Sequence, residues 1–138
     1  MHELFELRQA VTRLYERCLA QAQQQTGLSR GEMDVLLFLA NHPAYDTATD
    51  VVKMRGLSKS HVSAMVEKLA QRGMLLRQVE ESNRRVVRLS LLPSAAQAVA
   101  LGREAQEQFN RRLFAGISPS DQSNFQRTLH AICRNAGL

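Results

Sequence analysis

Apolar residues recur at helical spacing from the start of the chain. Between Leu4 and Gln25, Leu4, Val11 and Cys18 stand seven apart with Leu7 and Leu14 offset by three, the spacing of a coiled-coil-like seam. Phe5, Tyr15, Leu19 and Ala22 widen the seam beyond what one neighbour would cover. This predicts a helix packed both on its own domain and on another subunit. A second helix opens at Ser29, where Glu32 three residues on completes a capping box. It buries Met33, Leu36, Leu37 and Ala40 and stops at Asn41–Pro43. Asp46 or Thr47 caps a third, short helix through about Met54, and Arg55-Gly56 ends it. Ser58 caps a fourth, which closes near Arg72 with Gly73 beyond.

The period then shifts to two. Leu75 to Val79 and Val86 to Leu91 read as strands, with Val87, Leu89 and Leu91 on the core side. The polar stretch Glu80 to Arg85 joins them as a hairpin. A helix from Pro93-Ser94 to about Ala115 carries Leu101, Ala105, Phe109 and Leu113 along one side. The last helix has Ser118 as N-cap, Pro119 at its first position and Asp121 in its first turn. Its apolar side is Phe125, Leu129, Ile132, Cys133 and Ala136. The expected fold is therefore mainly α with one short two-stranded hairpin. It forms a single domain over 1–138, with a central part at 29–92 flanked by helical parts at 4–25 and 94–138. At 138 residues the chain can hold a core without metal or disulfide staples.

Composition narrows the classes. With 44% hydrophobic residues the chain is not disordered. Its longest apolar run, Val35 to Ala40, is far short of the roughly 20 residues that span a bilayer. The N-terminus lacks a basic segment followed by an apolar block, so no signal peptide is expected. Cys18 and Cys133 have no CxxC spacing, which points to a reducing, cytoplasmic setting. Both lie on apolar helix faces and are expected to be small buried hydrophobes rather than redox centres. His2, His42, His61 and His130 show no HxxxH or HExxH spacing, so no metal site is expected. There is no Gly-rich phosphate loop, GxSxG or suggestive carboxylate pair, which argues against an enzyme and against a cofactor.

Charge adds a location. The net charge is +5, and the window from Arg55 to Arg88, with eight basic and three acidic residues, holds as much by itself. Such a concentration favours a polyanionic partner. On the fourth helix Val62, Met65, Val66 and Leu69 form a narrow apolar arc. Ser60, Ala64, Glu67 and Gln71 centre the opposite face, flanked by His61, Ser63 and Lys68. A short helix, a Gly-containing turn, a second helix and a hairpin tipped with arginines is the order of a winged helix-turn-helix. There the second helix enters the major groove with its first residues on base edges. The candidate contacts to double-stranded DNA are Ser58, Lys59, Ser60, His61, Ser63, Ala64 and Lys68 from helix 58–72. Arg84 and Arg85 of the wing, 80–85, would enter the minor groove. Ser60 and His61 are expected to read bases, while Lys68 and Arg72 set affinity. For Lys68, Arg72 and Arg77, phosphate contact and ordinary surface charge weigh equally. The competing reading is a winged-helix protein-interaction module whose basic stripe meets an acidic partner instead of DNA.

The run GLSKSHVSAMVEKLAQRGMLLRQVEESNRRVVRLSL, from Gly56 to Leu91, resembles the signature of the MarR family of transcription regulators. The likeness extends over nearly the whole chain, including GLSRGEMDVLLFL at Gly27 to Leu39 and the terminal helices. The resemblance implies a homodimer on a palindromic operator, acting as a repressor, with N- and C-terminal dimerisation helices. It also implies a small-molecule effector, whose identity the residues do not give, between those helices and the winged part. Ser58 to Ser63 match the start of the recognition helix, and Arg84 and Arg85 match the basic wing tip. Three positions depart from the family pattern: Asn83 stands where Asp is usual, Ala64 where Arg is frequent, and Leu92 where Thr is frequent. Ala64 suits a thymine methyl better than guanine. Asn83 is expected to leave the wing tip mobile until DNA orders it.

Overall fold

A computed structural model describes residues 1–138. The elements are α1 (His2–Thr26), α2 (Arg30–Asn41), α3 (Ala48–Arg55), α4 (Lys59–Gln71), β1 (Leu75–Val79), β2 (Val87–Leu91), a short 3-10 turn (Pro93–Ala95), α5 (Ala96–Leu113) and α6 (Pro119–Asn135). Their limits follow local chemistry. Gly27 ends α1 at φ 71°, the left-handed conformation that costs a glycine nothing. Ser29 and Glu32 form the expected capping box at the head of α2. Of the two candidate caps for α3, Thr47 takes the role: its hydroxyl accepts the Asp50 N–H at 3.1 Å, and the Asp50 carboxylate accepts the Thr47 N–H at 3.2 Å. Asp46 is left free for a different task.

The second helix is the hub. Met33, Val35, Leu36, Leu37, Phe38 and Leu39 are all buried, as a helix enclosed on every side requires. It packs against α4, α5 and β2. The approach to α5 is close at Gly102, where an added Cβ would lie 2.7 Å from Leu37 Cδ2. Helix α1 lies along α5 through Leu14, Cys18, Leu19 and Ala22. The strands pair antiparallel with Leu75 opposite Leu91 and Val79 opposite Val87. Leu89 is buried, and Val87 and Leu91 pack against the core, as their alternation required. A bridge from Thr47 to Arg88 and a 2.7 Å bond from the Leu89 N–H to the Asp46 carbonyl tie the hairpin to the entrance of α3.

Three expectations change. Strand β2 begins at Val87 rather than Val86, because the Val86 backbone closes the turn with Asn83 and Glu80. The α1 seam is divided: Leu14 and Cys18 pack within the chain, while Leu4, Phe5 and Leu7 are exposed. Cys133 is half-exposed rather than buried, since α6 has no buried residue at all. Its Phe125, Leu129 and Ile132 stand open to solvent. No helix is long and apolar enough to cross a membrane.

Candidate nucleic-acid interface

Helix α4 docks by Val62, Met65, Val66 and Leu69, all buried. That leaves Ser58, Lys59, Ser60, His61, Ser63, Ala64 and Lys68 on the exposed side, where the apolar arc requires them. Ser58 caps the helix through its hydroxyl, which accepts the His61 N–H at 3.1 Å. The third helical position is acidic in α2 and α3, Glu32 and Asp50, but His61 holds it in α4, whose first turn has no acidic residue. The remaining free N–H groups and the positive end of the helix dipole therefore face outward with no carboxylate over them, a setting suited to phosphate. His61 departs from a purely outward role. Its ring lies over Gly31 of α2, where an added Cβ would be 3.0 Å from Nε2 and 2.7 Å from Met65 Sδ. It is a packing residue as well as a candidate reader.

The wing tip is held by its own turn. The Asn83 side-chain oxygen accepts the Arg85 N–H at 3.1 Å, and the Asn83 carbonyl accepts the Val86 N–H at 3.0 Å. Asn83 thus closes the turn at the tip through both its side-chain and its backbone oxygen. Below the tip, Arg88 donates to Glu80 at 2.6 Å and to Asp46 at 2.6 Å, clamping the hairpin to the loop before α3. The hydrogen bond to Glu80, then that to Asp46, raises the Arg88 pKa above its ordinary value. Sequence reasoning missed this brace. Nothing local signals it, since Asp46 and Arg88 lie 42 residues apart.

The basic window divides by function. Arg55 faces Asp34 at 3.7 Å, Arg72 faces Glu32 at 2.8 Å, and Arg88 is held as described. Lys59, Lys68, Arg77, Arg84 and Arg85 make no ion pair and remain exposed. Arg72 differs from these five in that its guanidinium is already engaged, by Glu32 and by the Gly27 carbonyl. Lys59, Arg77 and Arg85, joined by Lys53, rim a 410 Å³ cavity between α3, α4 and the hairpin. A second cavity, of 400 Å³, opens where α1 and α5 meet the winged part, lined by Val11, Tyr15, Arg30, Arg55, Gln106 and Phe109 among others. There Tyr15 meets Phe109 edge-on at 5.2 Å, and the Arg30 guanidinium sits 4.8 Å from the Tyr15 ring centre.

A sequence model of the MarR family matches residues 26–86, from the end of α1 to the wing tip. No curated protein matches the chain. Among solved structures, a MarR family transcriptional regulator from Silicibacter pomeroyi superposes with a TM-score of 0.78 at 23% identity, over 94% of this chain and 86% of that one. MepR of S. aureus, solved as a complex with DNA, gives 0.79 at 15% identity, covering 96% and 94%. Bordetella bronchiseptica BpsR, described for regulation of its DNA binding by 6-hydroxynicotinic acid, gives 0.68 at 24% identity, covering 92% and 98%. The helix-turn-helix and wing are thus matched by the sequence model of the MarR family, and the full length of the chain has the fold of that family's solved structures.

Proposed function

We propose that the protein is a transcription regulator that binds double-stranded DNA as a homodimer on a palindromic operator, as a repressor. The observation that carries this reading is α4. Its exposed first turn is polar and free of acid, and unpaired Lys59, Lys68, Arg77, Arg84 and Arg85 stand around it. Ser60, Ser63, Ala64 and His61 face the base edges, Lys59 and Lys68 the phosphates, and Arg84 and Arg85 the minor groove. The fold shared with MepR, solved on DNA, supports the same use of the helix. The apolar faces left open on α1 and α6 support a two-fold dimer, whose half-sites would lie about one turn, roughly 10 base pairs, apart.

The cavity between α1, α5 and the winged part supports control by a small aromatic anion. Tyr15 and Phe109 offer ring surfaces, and Arg30 and Arg55 offer charge. Both arginines now share Asp34, at 3.1 and 3.7 Å, so an entering carboxylate would compete with a bond between α2 and α3. BpsR, with its 6-hydroxynicotinic acid, provides a parallel. The test is selection of bound duplexes from a random DNA pool. Enrichment of a palindrome is the expected result. Failure to enrich any duplex, together with salt-sensitive binding of an acidic polypeptide, would favour the protein-interaction reading.

A further inference from the structure

Glu32 is the one charged side chain in the chain that is fully withdrawn from water, at 3% exposure. A buried carboxylate is costly unless its charge is met. One oxygen accepts the Ser29 N–H at 3.2 Å, which closes the capping box. The other faces Arg72 Nε at 2.8 Å, without the alignment of a proper hydrogen bond, so charge rather than direction holds this contact. Arg72 then uses Nη2 to donate to the Gly27 carbonyl at 3.0 Å. Arg72 is the C-cap of α4, Gly27 the C-cap of α1, and Glu32 lies in the first turn of α2. One guanidinium therefore fastens the far end of α4 to the corner where the long first helix turns into the winged part.

The near end of α4 is fixed separately. Met65 and His61 close on Gly31, and the Ser29 hydroxyl lies 3.8 Å from Met65 Sδ. Two anchors about two helical turns apart on one helix determine its direction as well as its position. We propose that Arg72 is a positioning residue: through Glu32 and Gly27 it sets the angle of α4 against α1, and hence the distance between the two recognition helices of a dimer. The inference rests on the DNA-binding reading above. It assigns Arg72 to the choice of half-site spacing rather than to phosphate contact or base reading.

The test measures affinity for the selected palindrome, for versions with the half-sites moved one or two base pairs closer or farther, and for an isolated half-site. Wild type is compared with Arg72→Gln and Arg72→Lys. The double variant Glu32→Gln/Arg72→Gln leaves no charge buried alone and guards against loss of the fold, which a thermal melt verifies. We expect Arg72→Gln and the double variant to lose roughly tenfold on the best-spaced duplex, a typical coupling between sites. Their optimum for spacing should broaden, with half-site affinity and salt dependence unchanged. Arg72→Lys, which keeps the charge but not the fork, should fall between. A spacing profile identical to wild type in the folded double variant overturns the inference. So does a fall in the log–log salt slope of about 0.9 with the optimum retained, which would make Arg72 a phosphate contact. If wild type binds no duplex, the DNA reading itself fails and this inference with it.

Discussion

Arg84 and Arg88 lie four residues apart on one hairpin and are held in opposite ways. Arg84 is exposed and touches no carboxylate, so its charge is available to a partner. Arg88 is held between Glu80 and Asp46 and spends its donors inside the chain. The two should therefore separate in a salt series on one operator duplex. Arg84→Ala is expected to weaken binding and to flatten the log–log slope by about 0.9, the share of one neutralised phosphate. Arg88→Ala is expected to weaken binding with the slope unchanged, because its loss lets the wing swing from α3 without removing a phosphate contact. Parallel slopes for both variants, at unchanged affinity, would mean that the wing never meets DNA. Ala64 belongs to the same scale. A methyl in place of a guanidinium offers the major groove an apolar contact, so thymine is expected opposite it in the selected duplexes.

The helix entrances differ among themselves in a way that bears on binding. The helices α2 and α3 begin with reciprocal capping boxes, whereas α4 has the serine but not the acid. Completing the box with His61→Glu places an acid in the first turn, where it favours the helix dipole and offsets part of the packing lost when the ring leaves Gly31, so the chain should still fold. It would also set a carboxylate where phosphate is to dock, so DNA binding should be abolished in a chain that still melts cooperatively, whereas His61→Gln, which loses the same ring without adding charge, should keep part of it. Retained binding would show that the first turn of α4 is not at the backbone. These entrances were legible in the sequence because a cap and its partner lie three residues apart, and so were the faces of α4 and β2, which follow from period alone. The partners of Arg72 and Arg88 were not. Arg88 reaches Asp46 across 42 residues, and Arg72 reaches Gly27 across 45. A run of basic residues gives no sign of which members the fold will neutralise. Cys133 was misjudged for a related reason: periodicity identifies an apolar face but not whether its own chain covers it.

The whole molecule leaves such faces open on its first and last helices. Leu4, Phe5 and Leu7 on α1 and Phe125, Leu129 and Ile132 on α6 are all between 42% and 64% exposed, although each lies on a regular apolar stripe. Exposed apolar stripes of this kind mark association surfaces. A second copy supplies the same stripes, and two-fold symmetry pairs them without leaving a free edge. Ile132 tests this directly. At 56% exposure it contributes little to the core of one chain, so Ile132→Asp should preserve helix content and the winged part. Across a dimer interface each buried isoleucine is worth about 1.5–3 kcal/mol, and two are lost. The expected outcome is a monomer by sedimentation at micromolar concentration, with circular dichroism close to wild type. Such a monomer should keep weak affinity for a half-site and lose the gain that two linked modules give on a full palindrome. A variant that still sediments as the wild-type dimer would move the interface away from α6.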